Sequence, residues 1–552
     1  MSNHQFGSAP QFNIALASGA PGGTLKALII DEGELSRSVI TTMLRDMGVQ
    51  QVHAVRRPEQ ARRQIKEAGH AYDIIITEFH FRRQSNHDMS GQDLLDELRQ
   101  ARGLPMQTIF IMVTDEARYQ HVADAVEGAL DDYLLKPFTA RQFEERLQII
   151  LDRKHALREV FAAIEANDYA GAAELCEAMF HSSQSYKVYA ARIGSELYLR
   201  LGQLDAARRM FEALLEYKAV PWARLGLAKI DLGNADTATA CRSLETLLAD
   251  NPSYVDAYDV YGRALLESMD FAAAVEMFSK AVQITPGNVA RLQKLGSLQL
   301  FLGFSENALK HLTAALNIGS QSRSLDYQGL VALGLASLDE EEREGCERAS
   351  RFLQEALQRF PDSFRVRHLS LCADAVLALS ERRADLAQAL MRQLAEQLDH
   401  PEFSYEMACN LIMLMVRSAG RQAMPEARAW TERATQRFAV SRPRTRMLEM
   451  AAAAMPPIEA IVRNAAAGIN EAAREAMSHL VSKQHERTLQ ALLALAQRSL
   501  NARIINLAHA TLSHHGQHLS EHAVQQLRGV IDDLHSRYTD GGRRFVERER
   551  QV

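Results

Sequence analysis

Acidic residues, a hydroxyl and a lysine end the short apolar segments in the first part of this 552-residue chain. Asp31 and Glu32 follow one such segment, Glu78 ends a second, Thr114 ends a third, and Lys136 follows a fourth. Short apolar runs of this kind are typical of strands buried on both faces of a parallel sheet, and open α/β sheets bind ligands at the carboxyl ends of their strands. Clustered carboxylates can hold Mg²⁺, and a metal ion together with a lysine can neutralise a phosphoryl group. These residues therefore predict a charged site at one edge of a sheet.

Strand-like and helix-like segments alternate through this part of the chain. Strands are predicted at Ala27–Ile30, Val52–Val55, Ile74–Thr77, Thr108–Val113 and Asp132–Leu135. Helices are predicted at Ser36–Met47, Pro58–Ala68, Gly91–Ala101, Ala117–Glu127 and Ala140–Leu151. Such alternation indicates a parallel sheet with helices on both faces, and five units in about 125 residues favour the doubly wound, flavodoxin-like strand order.

The combined spacing resembles the receiver domain of bacterial response regulators. Asp31 and Glu32 match the acidic pair of that family, and Thr114 matches its switch hydroxyl. Tyr133 matches the switch aromatic residue, and Lys136 matches the lysine that precedes a cis-proline. The resemblance implies a role in two-component signalling, in which such domains take part in phosphorelays.

Glu78 departs from the receiver pattern, which has a phosphate-accepting aspartate at this position. The extra methylene moves the carboxylate outward by roughly 1.5 Å, and phosphoryl transfer depends mostly on positioning. The longer side chain can instead reach toward Lys136 and partly imitate a phosphorylated aspartate. Three alternatives follow: an unphosphorylated interaction domain, an activated-like domain mimicked by Glu78, and a domain phosphorylated on Glu78. The segment after the strand, His80–Ser90, is also longer than usual and lacks the Met-Pro of the family.

The acidic residues Asp31, Glu32 and Glu78 form a candidate Mg²⁺ site, although the interpretation requires no cofactor. The alternative is an ion pair between the acidic pair and Lys136, which needs no metal.

Helical repeats of about 34 residues are predicted after the first domain. Small residues recur at intervals of 33 to 35 residues, at Ala172, Ala207, Ala240, Ala274 and Ala308. In the clearest unit, Val255–Asn288, Gly262 lets two helices approach and Phe278 fills the space against the next hairpin. Pro286 ends the second helix of the unit. This pattern resembles the tetratricopeptide repeat, which implies an all-α solenoid with a concave surface.

The repeat frame also predicts which side chains face that surface. They are Tyr189, Arg192, Glu196, Asp259, Arg263, Gln293, Lys294 and Ser297. The functional interpretation is a groove for a peptide or a partner helix, and the alternative for each residue is an ordinary solvated face.

These patterns divide the chain into five regions. They are a flexible N-terminal segment (1–24), a receiver-like domain (25–151), a repeat solenoid (152–440, clearest at 188–322), a C-terminal helical region that caps the solenoid (441–540) and a flexible tail (541–552). The helix at Ala140–Ala156 is expected to join the receiver-like domain to the repeats.

Composition and motifs argue against several other functions. A net charge of −6 and no long apolar run favour neither nucleic acid nor membrane insertion, and five cysteines without paired spacing favour reduced thiols in a cytoplasm. No P-loop, GxSxG, HExxH or dinucleotide motif indicates an enzyme. His514, His515, His518 and His522 lie near Gly516 without a cysteine or carboxylate cluster, so a metal site is not favoured there.

The sequence thus predicts a non-enzymatic signalling adaptor. In it, an atypical receiver-like domain docks on one signalling protein, and the tetratricopeptide-repeat solenoid binds a second protein partner. One alternative is a phosphorylation-switched response regulator with a protein-binding output, and another is a nucleic-acid-binding regulator that acts through the C-terminal helices. A homo-oligomer is compatible with each alternative.

Overall fold

A computed structural model describes most of the chain. The described residues are 25–68, 72–79, 81, 91, 94–95, 98, 105–115, 131–182, 185–320, 325–418 and 424–539. Several predicted segments lie wholly or mostly outside them: 1–24, His80–Ser90, Gly91–Ala101, Ala117–Glu127 and 541–552. The described residues form two compact units, one up to Val260 and the other from Tyr261 onward.

The first unit begins with a five-stranded parallel sheet. Its strands are β1 (Lys26–Ile30), β2 (Gln51–Val55), β3 (Ile74–Glu78), β4 (Ile109–Thr114) and β5 (Asp132–Leu135). They are arranged in the order β2-β1-β3-β4-β5, and every neighbouring pair is parallel. This is the predicted flavodoxin-like order, and the α/β fold expected from the resemblance is confirmed.

Helices cover both faces of this sheet. They include α1 (Glu34–Asp46), α2 (Pro58–Glu67) and α3 (Ala140–Ala156). On one face Ile76 packs in a core with Phe143 of α3. On the other face Ile75 packs in a core with Ile65 of α2. Because successive strand residues point to opposite faces, a strand with a core on each side must be apolar at every position, which explains the continuous Ile74–Thr77 run.

The remainder of the first unit is helical. Its helices are α4 (Arg158–Glu165), α5 (Tyr169–Ser182), α6 (Lys187–Arg200), α7 (Leu204–Tyr217), α8 (Pro221–Gly233) and α9 (Thr237–Asp250), and α10 (Val255–Glu267) spans the division between the units. The expected tetratricopeptide-like succession of paired helices is confirmed.

The second unit continues this succession. Its helices are α11 (Phe271–Ile284), α12 (Val289–Phe301), α13 (Ser305–Gly319), α14 (Tyr327–Asp339), α15 (Arg343–Arg359), α16 (Phe364–Ser380), α17 (Ala384–Glu396), α18 (Tyr405–Ser418), α19 (Ala427–Phe438), α20 (Arg442–Ala452), α21 (Pro456–Val481), α22 (His485–Ser499), α23 (Ala502–His515) and α24 (Glu521–Tyr538). A single turn of 3₁₀ helix, Gly516–His518, joins the last two.

Prolines lie at the starts of two helices just after the boundary predicted at residue 440. Pro443 and Pro456 lie in the first turns of α20 and α21, where a missing N–H leaves no hydrogen bond unmade. Leu414, Leu448 and Val462 nevertheless share one hydrophobic core, so apolar packing continues across this stretch.

Small residues allow the repeat helices to pack closely. The recurring alanines are all fully buried: Ala172, Ala207, Ala240, Ala274 and Ala308. A Cβ atom at Gly262 would lie 2.7 Å from ring carbons of Phe278, which is closer than real Cβ atoms come to a neighbour. The same ring-over-glycine contact recurs between Phe211 and Gly226. The packing roles predicted for Gly262 and Phe278 are confirmed.

The turns within successive hairpins share one backbone feature. In five successive hairpins a residue with φ between 55° and 79° follows the first helix, at Gly202, Ala235, Met269, Gly303 and Glu341. This left-handed conformation reverses the chain within few residues and is easily adopted only by glycine. Within the described residues, no helix combines the length and the apolar character needed to cross a membrane.

Candidate functional site

One ammonium group bridges two carboxylates at the carboxyl edge of the sheet. Asp31 follows β1, Glu78 is the last residue of β3, and Lys136 follows β5. Lys136 Nζ lies 2.7 Å from Asp31 Oδ2 and 3.2 Å from Glu78 Oε1. The peptide bond between Lys136 and Pro137 is cis, as the receiver resemblance implies. The strand register therefore brings three of the predicted site residues into direct contact.

Asp31 is held by a set of hydrogen bonds besides the one from Lys136. The backbone N–H of Gly33 donates to Oδ1 at 2.7 Å, and the Ser36 hydroxyl donates to Oδ2 at 2.7 Å. Burial acts to raise the pKa of Asp31, but the hydrogen bonds from Lys136, Ser36 and Gly33 outweigh it and hold the pKa below its ordinary value. Asp31 is therefore a stable anion and a suitable partner for the partly buried ammonium of Lys136.

Glu78 has the opposite electrostatic character. Its side chain is 14% exposed. Burial and the negative charge of Asp31 raise the pKa of Glu78 to about 7, although Lys136 acts in the other direction. Burial acts to lower the pKa of Lys136, but hydrogen bonds and charge attraction from Asp31 and Glu78 outweigh it and raise the pKa. The three groups thus form one coupled cluster in which Glu78 is the member that titrates near neutrality.

Tyr133 and Thr114 are buried beside this cluster. The ring of Tyr133 is 9% exposed and packs edge-on against Phe79, with centroids 6.4 Å apart and planes at 72°. Thr114 is 2% exposed, and its carbonyl accepts a hydrogen bond of 2.8 Å from the Lys136 N–H. Tyr133 therefore points into the domain rather than toward solvent. Glu32 is partly exposed, and its backbone carbonyl accepts a hydrogen bond from Arg37.

The predicted Mg²⁺ ligands do not form an open oxygen cluster. Mg²⁺ requires nearly octahedral oxygen ligands at about 2.0–2.1 Å. Asp31 Oδ2 and Glu78 Oε1 both contact the ammonium of Lys136 instead, and Asp31 Oδ1 accepts from Gly33. An ammonium that already bridges the carboxylates occupies the position of a cation and repels a second one. The Mg²⁺ site at Asp31, Glu32 and Glu78 stays a prediction.

Three residues predicted to face the repeat groove lie on α6 in the first unit. Tyr189 is 44% exposed, and the Arg153 guanidinium lies 4.6 Å from the centroid of its ring. The Arg192 guanidinium lies 5.9 Å from the ring centroid of Trp222. Glu196 is exposed. This part of α6 presents aromatic and cationic side chains together. Farther along, Asp259 of α10 is partly buried.

In the second unit, one of the predicted groove residues is buried and forms hydrogen bonds within the protein. Gln293 is 6% exposed; its Nε2 donates to the Asp326 carbonyl at 2.8 Å, and its Oε1 accepts from the Asp326 N–H at 2.9 Å. The expectation that Gln293 faces a partner is therefore wrong, because both ends of its amide fix the start of α14. Lys294 lies 5.7 Å from the ring centroid of Phe278, and Arg263 and Ser297 are partly exposed.

Two basic residues at the end of α3 connect the sheet with the repeats, and sequence reasoning missed both. Lys154 Nζ donates to the carbonyls of Met106 at 2.6 Å and Thr108 at 3.2 Å, and it lies 3.1 Å from Asp131 Oδ1. Arg153 donates to the Asp131 carbonyl at 2.9 Å and to its carboxylate at 3.1 Å. Both side chains are buried. The signal that could have revealed these two residues is their position on α3 relative to the apolar face of that helix.

Comparison with known proteins divides the chain in the same way. A family model described as "Response regulator receiver domain" matches residues 27–148. The chemotaxis protein CheY-3 of Vibrio cholerae is 27% identical over 129 residues, which are 23% of this chain and 93% of that protein. The resemblance of the first domain to receiver domains is confirmed.

Solved structures resemble each part of the chain separately. A response regulator receiver domain protein from Clostridium thermocellum is 23% identical and covers 24% of this chain and 98% of its own, with a TM-score of 0.21. The C-terminal part of a TPR repeat-containing protein from Cytophaga hutchinsonii is 15% identical and covers 43% of this chain and 93% of its own, with a TM-score of 0.33.

Proposed function

We propose that this chain is a two-component-type signalling adaptor whose receiver domain is fixed in one arrangement by Glu78 instead of being switched by phosphorylation. The observation that carries the proposal is the position of Lys136 Nζ, which contacts the carboxylates of both Asp31 and Glu78. A receiver domain joined to helical repeats makes a regulator with a protein-interaction scaffold. The fixed state and the adaptor role are our inference.

The contact between Glu78 and Lys136 supports an activated-like state. A phosphorylated aspartate at this position would extend an anion from the strand end toward the lysine, because phosphate adds both length and charge. Glu78 is longer than aspartate by one methylene and places its own carboxylate 3.2 Å from Lys136 Nζ. The inward Tyr133 ring beside Phe79 accompanies this contact. A carboxyl group that belongs to the side chain itself has no need of a phosphodonor.

The repeats supply the second binding surface in this proposal. On α6, Tyr189 and Arg192 present an aromatic ring and a guanidinium, the side-chain types enriched at protein interfaces. We assign this face to a peptide or helix of a protein partner. Receiver domains and tetratricopeptide scaffolds are typically non-enzymatic, and we propose no catalytic activity. All five cysteines are unpaired thiols, which supports a reducing cytoplasm.

Phosphodonor labelling tests the fixed state directly. The full chain would be incubated with acetyl phosphate and analysed by intact-mass spectrometry, together with Glu78→Ala and Glu78→Asp. We expect no acyl phosphate on the wild-type chain, because the Glu78 carboxylate is already engaged by Lys136. Labelling of the wild type that disappears in Glu78→Ala would overturn the proposal and favour a phosphorylation-switched regulator.

Partner capture tests the adaptor role. Cross-linking of the full chain in its own cell extract, without any phosphodonor, is expected to enrich the same proteins reproducibly. Glu78→Ala should reduce that enrichment, whereas Glu59→Ala, which changes an exposed acid on α2, should leave it intact. Equal enrichment by the wild type and Glu78→Ala would show that Glu78 does not set the binding state.

A further inference from the structure

Three histidines from three consecutive elements meet in the C-terminal helices. His485 begins α22, His515 ends α23, and His518 lies in the 3₁₀ turn that follows. One ring nitrogen from each histidine lies within 4.8 Å of those of the other two. We propose that this triad binds a transition-metal dication, with Zn²⁺ as the expected ion. This site is independent of the receiver domain and of the function proposed for it.

The environment of His485 supports this proposal. Its Nδ1 atom is buried and has no hydrogen-bond partner, although the side chain as a whole is only partly buried. A buried polar nitrogen without a partner costs free energy, and a metal–nitrogen bond would remove that cost. Histidine binds metal ions through a ring nitrogen that carries no proton.

The geometry is close to that of a site and requires a small adjustment. The His485 ring centroid lies 4.9 Å from that of His515 and 4.8 Å from that of His518, and both ring pairs are nearly parallel, at 19°. Ligand nitrogens at about 2.0–2.1 Å from a tetrahedral Zn²⁺ lie about 3.4 Å apart. The rings must turn from stacking toward a common point. His518 is exposed on the turn, so few neighbours oppose rotation of its side chain.

The donor set selects the class of metal. Imidazole nitrogen suits Zn²⁺, Cu²⁺ and Ni²⁺, whereas Mg²⁺ and Ca²⁺ prefer oxygen. Three protein ligands leave a fourth tetrahedral position for water or for a side chain of a partner. Binding would join the beginning of α22 to the turn between α23 and α24. The ion would thus fasten the last helices of the chain to one another.

Of the four histidines that stand out in the sequence near Gly516, two belong to the triad and two do not. His515 and His518 belong to the triad, whereas His514 is exposed and its Nδ1 lies 2.8 Å from the Ala510 carbonyl within its own helix. His522 is exposed. The third ligand, His485, lies on the preceding helix, far from the others in sequence. The sequence did not favour a metal site among His514, His515, His518 and His522, because no cysteine or carboxylate cluster accompanies them, and His485 lies outside that group.

Calorimetric titration of the full chain, freed of any histidine tag, tests the site. We expect one Zn²⁺ per chain and no response to Mg²⁺. His485→Ala, His515→Ala and His518→Ala should each weaken binding by at least about tenfold, the loss that changes outside the ligand shell already cause in known sites. His514→Ala is the matched control and should bind as the wild type does. His518 is exposed, so its variant carries the test even where another variant fails to fold.

Two outcomes would overturn the proposal. One is that the wild-type chain does not bind Zn²⁺, or that His518→Ala binds Zn²⁺ as tightly as the wild type does. The other is binding that depends on a different pair, His509 and His535, whose stacked rings lie 4.5 Å apart near Asp532. Loss of binding in His535→Ala with retention in His518→Ala would assign the ion to that pair. The visible absorption of bound Co²⁺ gives a second readout and should show tetrahedral coordination only while the triad is intact.

Discussion

At the scale of single residues, the sheet edge combines an anion that ionises readily with one that ionises reluctantly. Asp31 accepts hydrogen bonds from Gly33, Ser36 and Lys136, so its charge is well compensated. Glu78 shares the same ammonium and also faces the charge of Asp31. One lysine therefore compensates the first carboxylate fully and the second only partly, which makes ionised Glu78 the costly member of the cluster.

The pH dependence of Glu78 follows from this asymmetry. Its pKa of about 7 in the folded protein exceeds the ordinary value of 4.5. A raised pKa means that the folded state holds the proton more tightly, so the resulting stability is fully present below pH 4.5 and is lost as the pH rises through about 7. Glu78→Gln imitates the protonated form. We expect it to equal the wild type at acidic pH and to be more stable above pH 7 by roughly 1–3 kcal/mol, since one pKa unit is about 1.4 kcal/mol.

Hydrogen exchange of peptides from β3 and β4, corrected for the intrinsic effect of pH, measures this difference. Glu59→Gln is the control, because Glu59 is exposed on α2 and contacts neither Asp31 nor Lys136. A Glu78→Gln variant whose protection falls with pH as steeply as that of the wild type would contradict the raised pKa.

At the scale of elements, the hairpin turns contain a left-handed backbone conformation that residues other than glycine disfavour. Met269 has a φ of 65° and is 43% exposed, and Gly303 has a φ of 79° in the corresponding turn of the next hairpin. A non-glycine residue pays about 1–2 kcal/mol in this conformation. Met269→Gly removes that cost but adds chain entropy to the unfolded state, about 0.5–1 kcal/mol. We expect a net stabilisation of about 0.5–1 kcal/mol in urea unfolding.

The reciprocal change provides the check on this turn. A Cβ at Gly303 would meet no neighbouring atom within 4 Å, so only the backbone conformation opposes Gly303→Ala. That variant should be destabilised by about 1 kcal/mol. If Met269→Gly is destabilised to a similar extent, the Met269 side chain contributes packing that outweighs the conformational cost.

Two glycines within helices distinguish the effect of helix propensity on stability from the effect of packing. Gly262→Ala would place a Cβ 2.7 Å from the Phe278 ring, whereas the space around Gly468 in α21 is open. Overpacking costs about 1–3 kcal/mol, and alanine in an open helix position gains about 0.5–1 kcal/mol over glycine. We expect Gly262→Ala to be destabilised and Gly468→Ala to be stabilised in thermal unfolding. Equal effects of the two changes would show that the Phe278 ring yields easily.

The local sequence pattern predicted the helices and strands of this chain, but it did not predict the contacts between elements that are far apart in the sequence. The strand runs and the recurring alanines are encoded within a few residues, so strand ends were correct to within one or two positions. Gln293 was assigned to a groove because its helical position is correct, yet its amide bonds with Asp326 join the starts of two different helices. His485 and Lys154 were missed for the same reason. Their partners lie on other elements, and periodicity contains no information about such pairs.

At the scale of the whole molecule, the receiver domain and the first repeats meet at the opposite edge of the sheet from Glu78. Lys154 bonds to the carbonyls of Met106 and Thr108, which precede β4, and the Met106 N–H donates to Glu165 of α4 at 2.7 Å. β4 has six residues, so its first and last residues lie about 17 Å apart at roughly 3.3 Å per residue. A rigid, fully buried strand therefore connects the charged site with the first repeat helix.

Lys154→Met tests whether this junction transmits the state of Glu78. Methionine has similar length but no charge, so the carbonyls of Met106 and Thr108 lose a donor and Asp131 loses one of its two cations. Breaking a buried ion pair costs about 3 kcal/mol, which should speed hydrogen exchange in β4 and α4 while α9 stays unchanged.

Coupling between Glu78 and the repeats through Lys154 makes a sharper prediction. Glu78→Ala should alter exchange in α4 in the wild-type background and much less in Lys154→Met, because independent sites add whereas linked ones do not. An effect of Glu78→Ala on α4 that is the same in both backgrounds would mean that the signal reaches the repeats by a route other than Lys154.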